Sequence, residues 1–128
     1  MDNRCTFDKT ERIFLKKEID GLFKQGDSFI SYPLRIIYLN QKPLSGATVS
    51  VLISVPKKNI KRAVNRNRIK RLIREAYRLN KSNIIQFCQE KGNGFLIAFL
   101  FIGNELCKWK DIENAMLKTF GILKDKMK

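Results

Sequence analysis

The sequence AVNRNRIKRLIREAYR, residues 63–78, has the spacing of an amphipathic helix with one strongly basic side. At about 100° per residue, Ile73, Ala76 and Asn80 fall within about 40° of Ile69 on a helical wheel. The basic stripe lies between about 100° and about 200° from Ile69 and comprises Asn67, Lys70, Arg71, Arg74 and Arg78. We therefore predict a helix over residues 63–87 with its apolar side in the core and its basic side in solvent.

Positive charge is concentrated around this helix. Eleven of the 26 Lys and Arg residues lie within residues 56–81, where Glu75 is the one acid. Glu75 lies four residues after Arg71 and is expected to pair with it. Like charges at this spacing, such as Lys70 and Arg74, destabilise an isolated helix. Because the planar guanidinium of arginine suits phosphate groups, we expect an external polyanion as the partner of this surface.

The basic helix has three other interpretations. It could be an ordinary solvated surface, although solubility alone would mix acids with the bases. It could lie on a membrane, but its apolar side is needed by the core. It could read DNA from a helix-turn-helix bundle, whereas this chain also has strand patterns.

Composition limits the classes of protein that the chain can belong to. Its 128 residues, 44% hydrophobic and 30% charged, suit one folded domain. The net charge of +14 indicates a nucleic acid or an anionic membrane as partner. Histidine is absent, so the commonest general base and metal ligand is missing. A nuclease made of protein alone would need clustered carboxylates to hold its metal, and the acids here are sparse and scattered.

The cysteines and the apolar segments indicate the compartment. The cysteines are Cys5, Cys88 and Cys107, an odd number without C-x-x-C spacing, which suits free thiols in the cytoplasm. The first residues lack the pattern of a secretory signal. The most apolar run, GFLIAFLFIG at 94–103, is too short for a spanning helix, which needs roughly 20 residues. We expect a cytoplasmic protein that does not enter a membrane.

Other segments alternate between helix and strand patterns. A first helix is predicted over 10–26, with Thr10 as N-cap and Gly26 as its end. A strand is predicted over 28–41, with Pro33 at a strand start, bulge or edge, and a turn over 42–46. A strand over 47–56 is expected to run antiparallel to the first, and residues 94–103 suit a central strand. The apolar spacing of Trp109, Ile112, Met116, Phe120 and Leu123 predicts a last helix within 107–128. The chain is therefore expected to form one layered α/β domain.

The basic helix resembles the signature of the bacterial ribonuclease P protein family, R-N-x-x-K-R-x-x-R. Arg66, Asn67, Lys70, Arg71 and Arg74 match that pattern, and Arg68 completes its RNR element. The segment IDGLFKQGDSFISYPLRIIYL is similar to the first helix and first strand of the family, and VSVLISVPKK to the strand and basic turn before the motif. The resemblance covers about residues 10–122.

The resemblance implies an α/β sandwich of the order α-β-β-β-α-β-α. Its four-stranded sheet would be of the type found in the second domain of a small-subunit ribosomal protein, with a left-handed crossover around the basic helix. That handedness is rare, and nothing else in the sequence predicts it. Residues 1–128 would then be a single RNA-binding domain, with a core over about 10–122 and short flexible termini.

The resemblance also implies a function. Members of the family bind the catalytic ribonuclease P RNA and help it to remove the 5′ leader of precursor tRNA. The RNA would hold the Mg²⁺ ions and carry out the hydrolysis, so no catalytic side chain, metal ligand or small-molecule cofactor is expected in the protein. The alternative from another class is a ribosomal or other structural RNA-binding protein with a similar fold.

Two surfaces follow from the resemblance. The first faces RNA and comprises Lys57, Lys58, Arg62, Arg66, Asn67, Arg68, Lys70, Arg71, Arg74 and Arg78. The second is the cleft that holds the single-stranded leader, where Ile19, Phe23 and Ile37 take the matching positions. Family members often have aromatic residues in place of Ile19 and Ile37, and Phe23 could instead be a core residue. The loop PKKNIKRAV is one residue longer than usual in the family, and its extra cations could add phosphate contacts.

Overall fold

The computed structural model describes residues 12–13 and 15–126. Its elements are α1 (Lys16–Gln25), β1 (Asp27–Ser31), β2 (Leu34–Leu39), β3 (Val49–Ser54), α2 (Ala63–Lys91), β4 (Phe95–Phe101) and α3 (Trp109–Lys126). The order is the α-β-β-β-α-β-α succession that the resemblance implies. Thr10, the predicted N-cap of the first helix, lies outside the described residues, as does Cys5.

The four strands form one mixed sheet in the order β1-β2-β4-β3. β4 pairs antiparallel with β2 and parallel with β3, so the apolar run at 94–103 is central, as predicted. The strand over 47–56 was expected to run antiparallel to the first strand. β3 does run opposite to β2, but the two strands do not pair with each other. After β3 the chain passes through α2, and β4 then takes the place between β2 and β3.

The segment predicted as a single strand over 28–41 is in fact a hairpin. β1 and β2 pair antiparallel, with Ser31 opposite Leu34 and a turn at Tyr32 and Pro33 between them. Residues that favour strands lie on both sides of the turn, so composition alone predicts one continuous strand. Pro33 is the signal, since proline lacks an N–H for the ladder and is placed here directly before β2.

One side of the sheet, which we term the covered face, packs against α2 and α3. Side-chain alternation directs Leu34, Ile36 and Tyr38 of β2 to this side, together with Phe95, Ile97, Phe99 and Phe101 of β4. Tyr77 of α2 joins the layers, since its ring centroid lies 6.1 Å from those of both Phe99 and Phe120. The last helix has the predicted core positions: Ile112, Met116, Phe120 and Leu123 are buried and Trp109 is partly buried.

The other side of the sheet, which we term the open face, carries the ten-residue helix α1. Leu22 of α1 packs with Ile13, Leu96 and Ala98 in a small second cluster. Gly26 ends α1 as predicted, and a Cβ there would meet the carbonyl oxygens of Leu22 and Tyr38. The close approach of the helix end to the sheet therefore needs glycine at this position.

A buried carboxylate ties α1 to the loop before β3. Glu18 is only 5% exposed, and its Oε2 accepts a hydrogen bond of 2.9 Å from the backbone N–H of Leu44. A buried acid is costly unless it is hydrogen-bonded, so this contact fixes the position of α1 on the open face.

The basic helix, α2, extends four residues beyond the predicted end at 87. It stops at Gly92, whose φ of 70° is left-handed, and the N–H of Asn93 bonds to the carbonyl of Cys88 at 2.8 Å. Glycine adopts this conformation without the penalty of a Cβ. No helix in the described part of the chain is both long and apolar enough to cross a membrane.

Candidate nucleic-acid interface

The helical wheel of α2 identifies its apolar core residues correctly, whereas Asn80, which it places on the same side, is only half-buried. Ile69, Ile73 and Ala76 are fully buried against the covered face, as predicted, and Leu72 is partly buried. Tyr77, which the wheel argument did not assign to the core, is also fully buried. The predicted basic stripe does face solvent: Asn67, Arg71 and Arg74 are exposed, and Lys70 and Arg78 are half-buried. Arg68, which belongs to the motif but not to the stripe, is exposed as well.

Arg66 has a structural contact that the motif does not predict. Its Nη1 donates hydrogen bonds to the carbonyl oxygens of Ile60 at 3.0 Å and Lys61 at 2.7 Å. The side chain therefore ties the first turn of α2 to the loop before it. The N-cap residue of α2, Arg62, makes no capping hydrogen bond with its own side chain. The guanidinium of Arg66 is therefore partly used in contacts within the protein, whereas Arg71 and Arg74 are exposed.

Glu75 pairs with Arg78, not with Arg71 as predicted. Two parallel hydrogen bonds join the guanidinium to the carboxylate, Nε to Oε1 at 3.0 Å and Nη2 to Oε2 at 2.8 Å. The hydrogen bond from Arg78 holds the pKa of the Glu75 carboxyl below its usual value, and the charges of Arg78 and Arg74 act in the same direction against the effect of burial. Arg78 is thus the cation of the predicted stripe that forms a direct ion pair with this acid.

The basic loop before α2 is held at three points. The side chain of Asn59 donates a hydrogen bond of 3.1 Å to the carbonyl of Phe101 at the end of β4. Ile60 is buried in the covered-face core, and Arg66 binds the loop carbonyls. The cations of the loop remain exposed: Lys57, Lys58, Lys61 and Arg62. Neither composition nor spacing singles out Asn59, so sequence reasoning missed its role.

A small cavity connects the basic stripe with the open face. Its volume is about 220 Å³, and it is lined by Arg12, Ile13, Val51, Leu52, Ile53, Lys70 and Arg74. Arg12 comes to this place because the chain before α1 forms a parallel bridge with β3, and the N–H of Ile13 bonds to the carbonyl of Val51 at 2.9 Å. The basic stripe and the open face are therefore neighbours, with an apolar floor and cations at their junction.

The three residues predicted for the leader cleft all lie at the open face. Ile19 of α1 and Ile37 of β2 are half-buried and pack against the second core cluster. Phe23 is 47% exposed and belongs to neither core cluster, so its alternative interpretation as a core residue is wrong. The aromatic ring of Phe23 is thus available beside the sheet.

The described residues do not fit a metal site of their own. Within residues 12–13 and 15–126, no three His, Cys, Asp or Glu side chains come together in a way that could hold an ion. Mg²⁺ prefers several oxygen ligands in octahedral geometry, and such a donor set is not assembled in this part of the chain.

Comparison with known proteins gives one consistent family. The family model described as Ribonuclease P matches residues 7–123. A ribonuclease P protein component of Porphyromonas gingivalis is 43% identical over 121 residues, covering 93% of this chain and 88% of that protein. The corresponding component of Clostridium acetobutylicum is 34% identical, covering 88% of each chain.

Solved structures agree in fold. The RNase P protein of Staphylococcus aureus superposes with a TM-score of 0.69 at 26% identity, covering 93% of both chains. The RNase P protein of Thermotoga maritima, at 24% identity and a TM-score of 0.55, supports the fold alone. The matched stretch includes α1, the whole sheet and the basic helix, and on these grounds the chain belongs to the ribonuclease P protein family.

Proposed function

We propose that this chain, as the protein subunit of ribonuclease P, works by binding RNA on two adjoining surfaces. The basic stripe of α2 and its preceding loop would bind the RNA subunit, and the open face would bind the single-stranded leader of precursor tRNA. The observation that carries this proposal is the cavity where Lys70 and Arg74 of α2 meet Leu52 of the sheet. Family membership favours this function over a ribosomal or other structural RNA-binding role.

The basic stripe supplies charge for the RNA subunit. The exposed cations of the stripe, the motif and the preceding loop are Lys57, Lys58, Arg62, Arg68, Arg71 and Arg74. The one acid within residues 56–81 is Glu75, which is already paired with Arg78. Each phosphate that a Lys or Arg contacts releases condensed counterions, so affinity for the RNA is expected to fall steeply as salt rises.

The open face supplies an apolar surface for unpaired bases. Phe23 is the exposed aromatic side chain of α1, and Ile19 and Ile37 lie beside it with partly exposed aliphatic surface. Stacking of a base on an aromatic ring contributes about 1–3 kcal/mol and tolerates any base. Isoleucine adds apolar contact without stacking, so we assign the main base contact to Phe23.

The hydrolysis itself is assigned to the RNA subunit and the Mg²⁺ ions that it holds. The protein residues described above bind and orient RNA, and the sequence contains no histidine to act as a general base. A purely binding role also explains why the functional surface consists of arginines, lysines and apolar side chains. In this scheme the protein increases affinity for precursor tRNA over mature tRNA, which lacks the leader.

The cytoplasm is the proposed compartment. Cys88 and Cys107, the two cysteines in the described part of the chain, are free thiols. Free thiols are typical of a reducing compartment. Burial raises the pKa of Cys88 to about 11, which keeps this thiol protonated and unreactive at neutral pH.

The test is cleavage of precursor tRNA by a bacterial ribonuclease P RNA at low Mg²⁺, with and without the protein. We expect strong stimulation that yields the mature 5′ end. Arg71→Ala, on the basic stripe, should weaken binding to the RNA subunit. Phe23→Ala, on the open face, should weaken binding of precursor tRNA to the assembled enzyme and leave assembly unchanged.

Lys118→Ala is a matched control, because Lys118 is exposed on α3, away from both surfaces, and its loss also removes one charge. Equal effects of Arg71→Ala and Lys118→Ala on assembly would contradict the assignment of the basic stripe. Wild-type protein that binds the RNA without stimulating cleavage would contradict the proposed role as a whole.

A further inference from the structure

Three rows of side chains cross the open face at right angles to the strands. The register of the sheet defines them, because paired residues point to the same side. The first row is Leu39, Leu96 and Ser50, the second is Ser28, Ile37, Ala98 and Leu52, and the third is Ile30, Arg35, Leu100 and Ser54.

Helix α1 packs against the first two rows. Leu22 is fully buried against Leu96 and Ala98, one from each row. In the third row no residue is buried: Ile30 is 60% exposed, Arg35 is exposed, and Leu100 and Ser54 are half-buried. An isoleucine this exposed on an edge strand, beside an exposed arginine, indicates a surface that a ligand could cover.

Arg35 is the one charged residue of the three rows. It forms no hydrogen bond or ion pair with any residue among 12–13 and 15–126, so its guanidinium is available to an external anion. Its register partner on β4 is Leu100, which in turn pairs with Ser54 of β3. At a strand spacing of about 4.8 Å, Arg35 lies roughly 10 Å across the sheet from β3.

The third row continues the junction between the two proposed surfaces. The cavity that Lys70 and Arg74 line includes Leu52 and Ile53 of β3, and Ser54 is the next residue of that strand. A strand of RNA leaving the basic stripe at this cavity can cross Ser54 and Leu100 and reach Arg35. Its path would have cations at both ends and apolar side chains between them, the arrangement used for single-stranded nucleic acids.

We propose that Arg35, on β2, is a second phosphate anchor for the leader, across the open face from the basic stripe, with Ile30 and Leu100 forming the apolar floor beside it. The inference rests on the proposed leader-binding role. It adds a specific residue, Arg35, and the direction in which the leader crosses the open face, from β3 towards β2. It predicts that the protein contacts a longer stretch of the leader than Phe23 alone could reach. An acidic protein partner would use the same arginine but would be indifferent to the leader.

The experiment compares two precursor tRNAs on the assembled enzyme, one with a leader of about ten nucleotides and one with a single-nucleotide leader. Arg35→Ala should weaken binding of the long-leader substrate roughly fivefold, as for one exposed ionic contact, and leave the short-leader substrate unchanged. The slope of log K against log salt should fall by about 0.7 for the long leader alone, the value for one contact to a single strand. Arg35→Lys should retain the salt slope, and Lys118→Ala should match wild type on both substrates.

Each other result overturns the inference. Equal losses on the two substrates would mean that Arg35 acts on the RNA subunit, the tRNA body or the fold. No loss on either would mean that Arg35 does not contact the leader. A failure of the proposed leader-binding role can be recognised separately. In that case the enzyme assembled with wild-type protein would bind the long-leader and short-leader substrates equally well. Thermal unfolding of Arg35→Ala should match wild type, since the side chain has no described partner to lose.

Discussion

The two faces of the sheet are built from alternate residues of the same strands, but they differ in the size of their side chains and in the helices that cover them. On β4, Phe95, Phe99 and Phe101 point to the covered face, where they meet two long helices. The intervening residues, Leu96, Ala98 and Leu100, are smaller and point to the open face, where one short helix covers part of the surface. Stability is therefore concentrated on one side of a single sheet, and the other side keeps a shallow, partly exposed surface, where we propose that the leader binds.

The largest expected effect tests this contrast with neighbouring residues of β4. Phe99→Ala should lower the free energy of unfolding by about 3–5 kcal/mol, since it removes a fully buried ring packed against Tyr77. Leu100→Ala, one residue along, should cost about 1 kcal/mol because its side chain is already partly exposed. Urea unfolding followed by circular dichroism measures both. Similar losses would mean that the open face contributes as much to stability as the covered face.

A second contrast lies on α1, between Leu22 and Phe23. Leu22→Ala should cost about 2–4 kcal/mol, since Leu22 is fully buried against the open face. Phe23→Ala should leave the unfolding free energy within about 1 kcal/mol and should instead weaken leader binding by about 1–3 kcal/mol. Paired unfolding and substrate-binding measurements separate the two roles. A stability loss for Phe23→Ala equal to that of Leu22→Ala would place Phe23 in the core after all.

A third contrast concerns two arginines of the motif. Arg66→Ala should lower stability by about 1–2 kcal/mol, since it leaves two loop carbonyls without their donor. Arg74→Ala should leave stability unchanged within about 0.5 kcal/mol, because Arg74 is exposed. Both substitutions should weaken RNA binding. Only for Arg74→Ala should the weaker binding come without a change in the loop before α2. Equal melting temperatures for the two variants would contradict the structural role of Arg66.

The smallest effect is expected at Glu75. Its lowered pKa in the folded protein means that the pair with Arg78 contributes stability above the carboxyl's unfolded pKa, and that this contribution is lost as pH falls below about 4.5. The pair is only half-buried and is screened by solvent, so the contribution should be only a few tenths of a kcal/mol. Glu75→Gln should remove that pH dependence and raise RNA affinity slightly by releasing Arg78. Thermal melts at several pH values, with Glu90→Gln as an exposed control on the same helix, measure the first effect; a salt titration of RNA binding measures the second.

Local periodicity was enough to predict that the three helices exist and which sides of α2 and α3 are buried. It did not predict where the first helix begins: α1 starts at Lys16, and Arg12, inside the predicted helix, forms a bridge with Val51 instead. Ile69, Ile73 and Ala76 on α2, and Ile112, Met116 and Leu123 on α3, are buried where a period of 3.6 residues places them. The separation of basic from apolar residues on α2 could be predicted for the same reason. The family resemblance implied the succession of elements along the chain, but the order of the strands within the sheet came from the structure, since strand composition is the same whichever neighbour a strand pairs with.

Contacts that depend on a choice between local partners, or on distant parts of the chain, could not be predicted. Glu75 lies three residues before Arg78 and four after Arg71, and rotamers decided between two partners at equally plausible spacings. The hydrogen bond from Asn59 to Phe101 joins residues 42 positions apart, and the approach of Arg12 to the motif helix requires the bridge to Val51. The contacts of Asn59 and Arg12 follow from the assembled sheet and have no local signature.

The position of β4 in the sheet has a consequence for synthesis. β4 lies between β2 and β3, and it is the last strand to be translated. Until residues 95–101 leave the ribosome, the β1–β2 hairpin and β3 have no strand to join them, and both faces of the sheet lack their centre. Protease resistance of ribosome-bound chains should therefore rise only when the nascent chain extends well past residue 101. The nascent chain would carry most of its positive charge before it has the folded surface that selects a particular RNA, so selectivity is acquired in one late step.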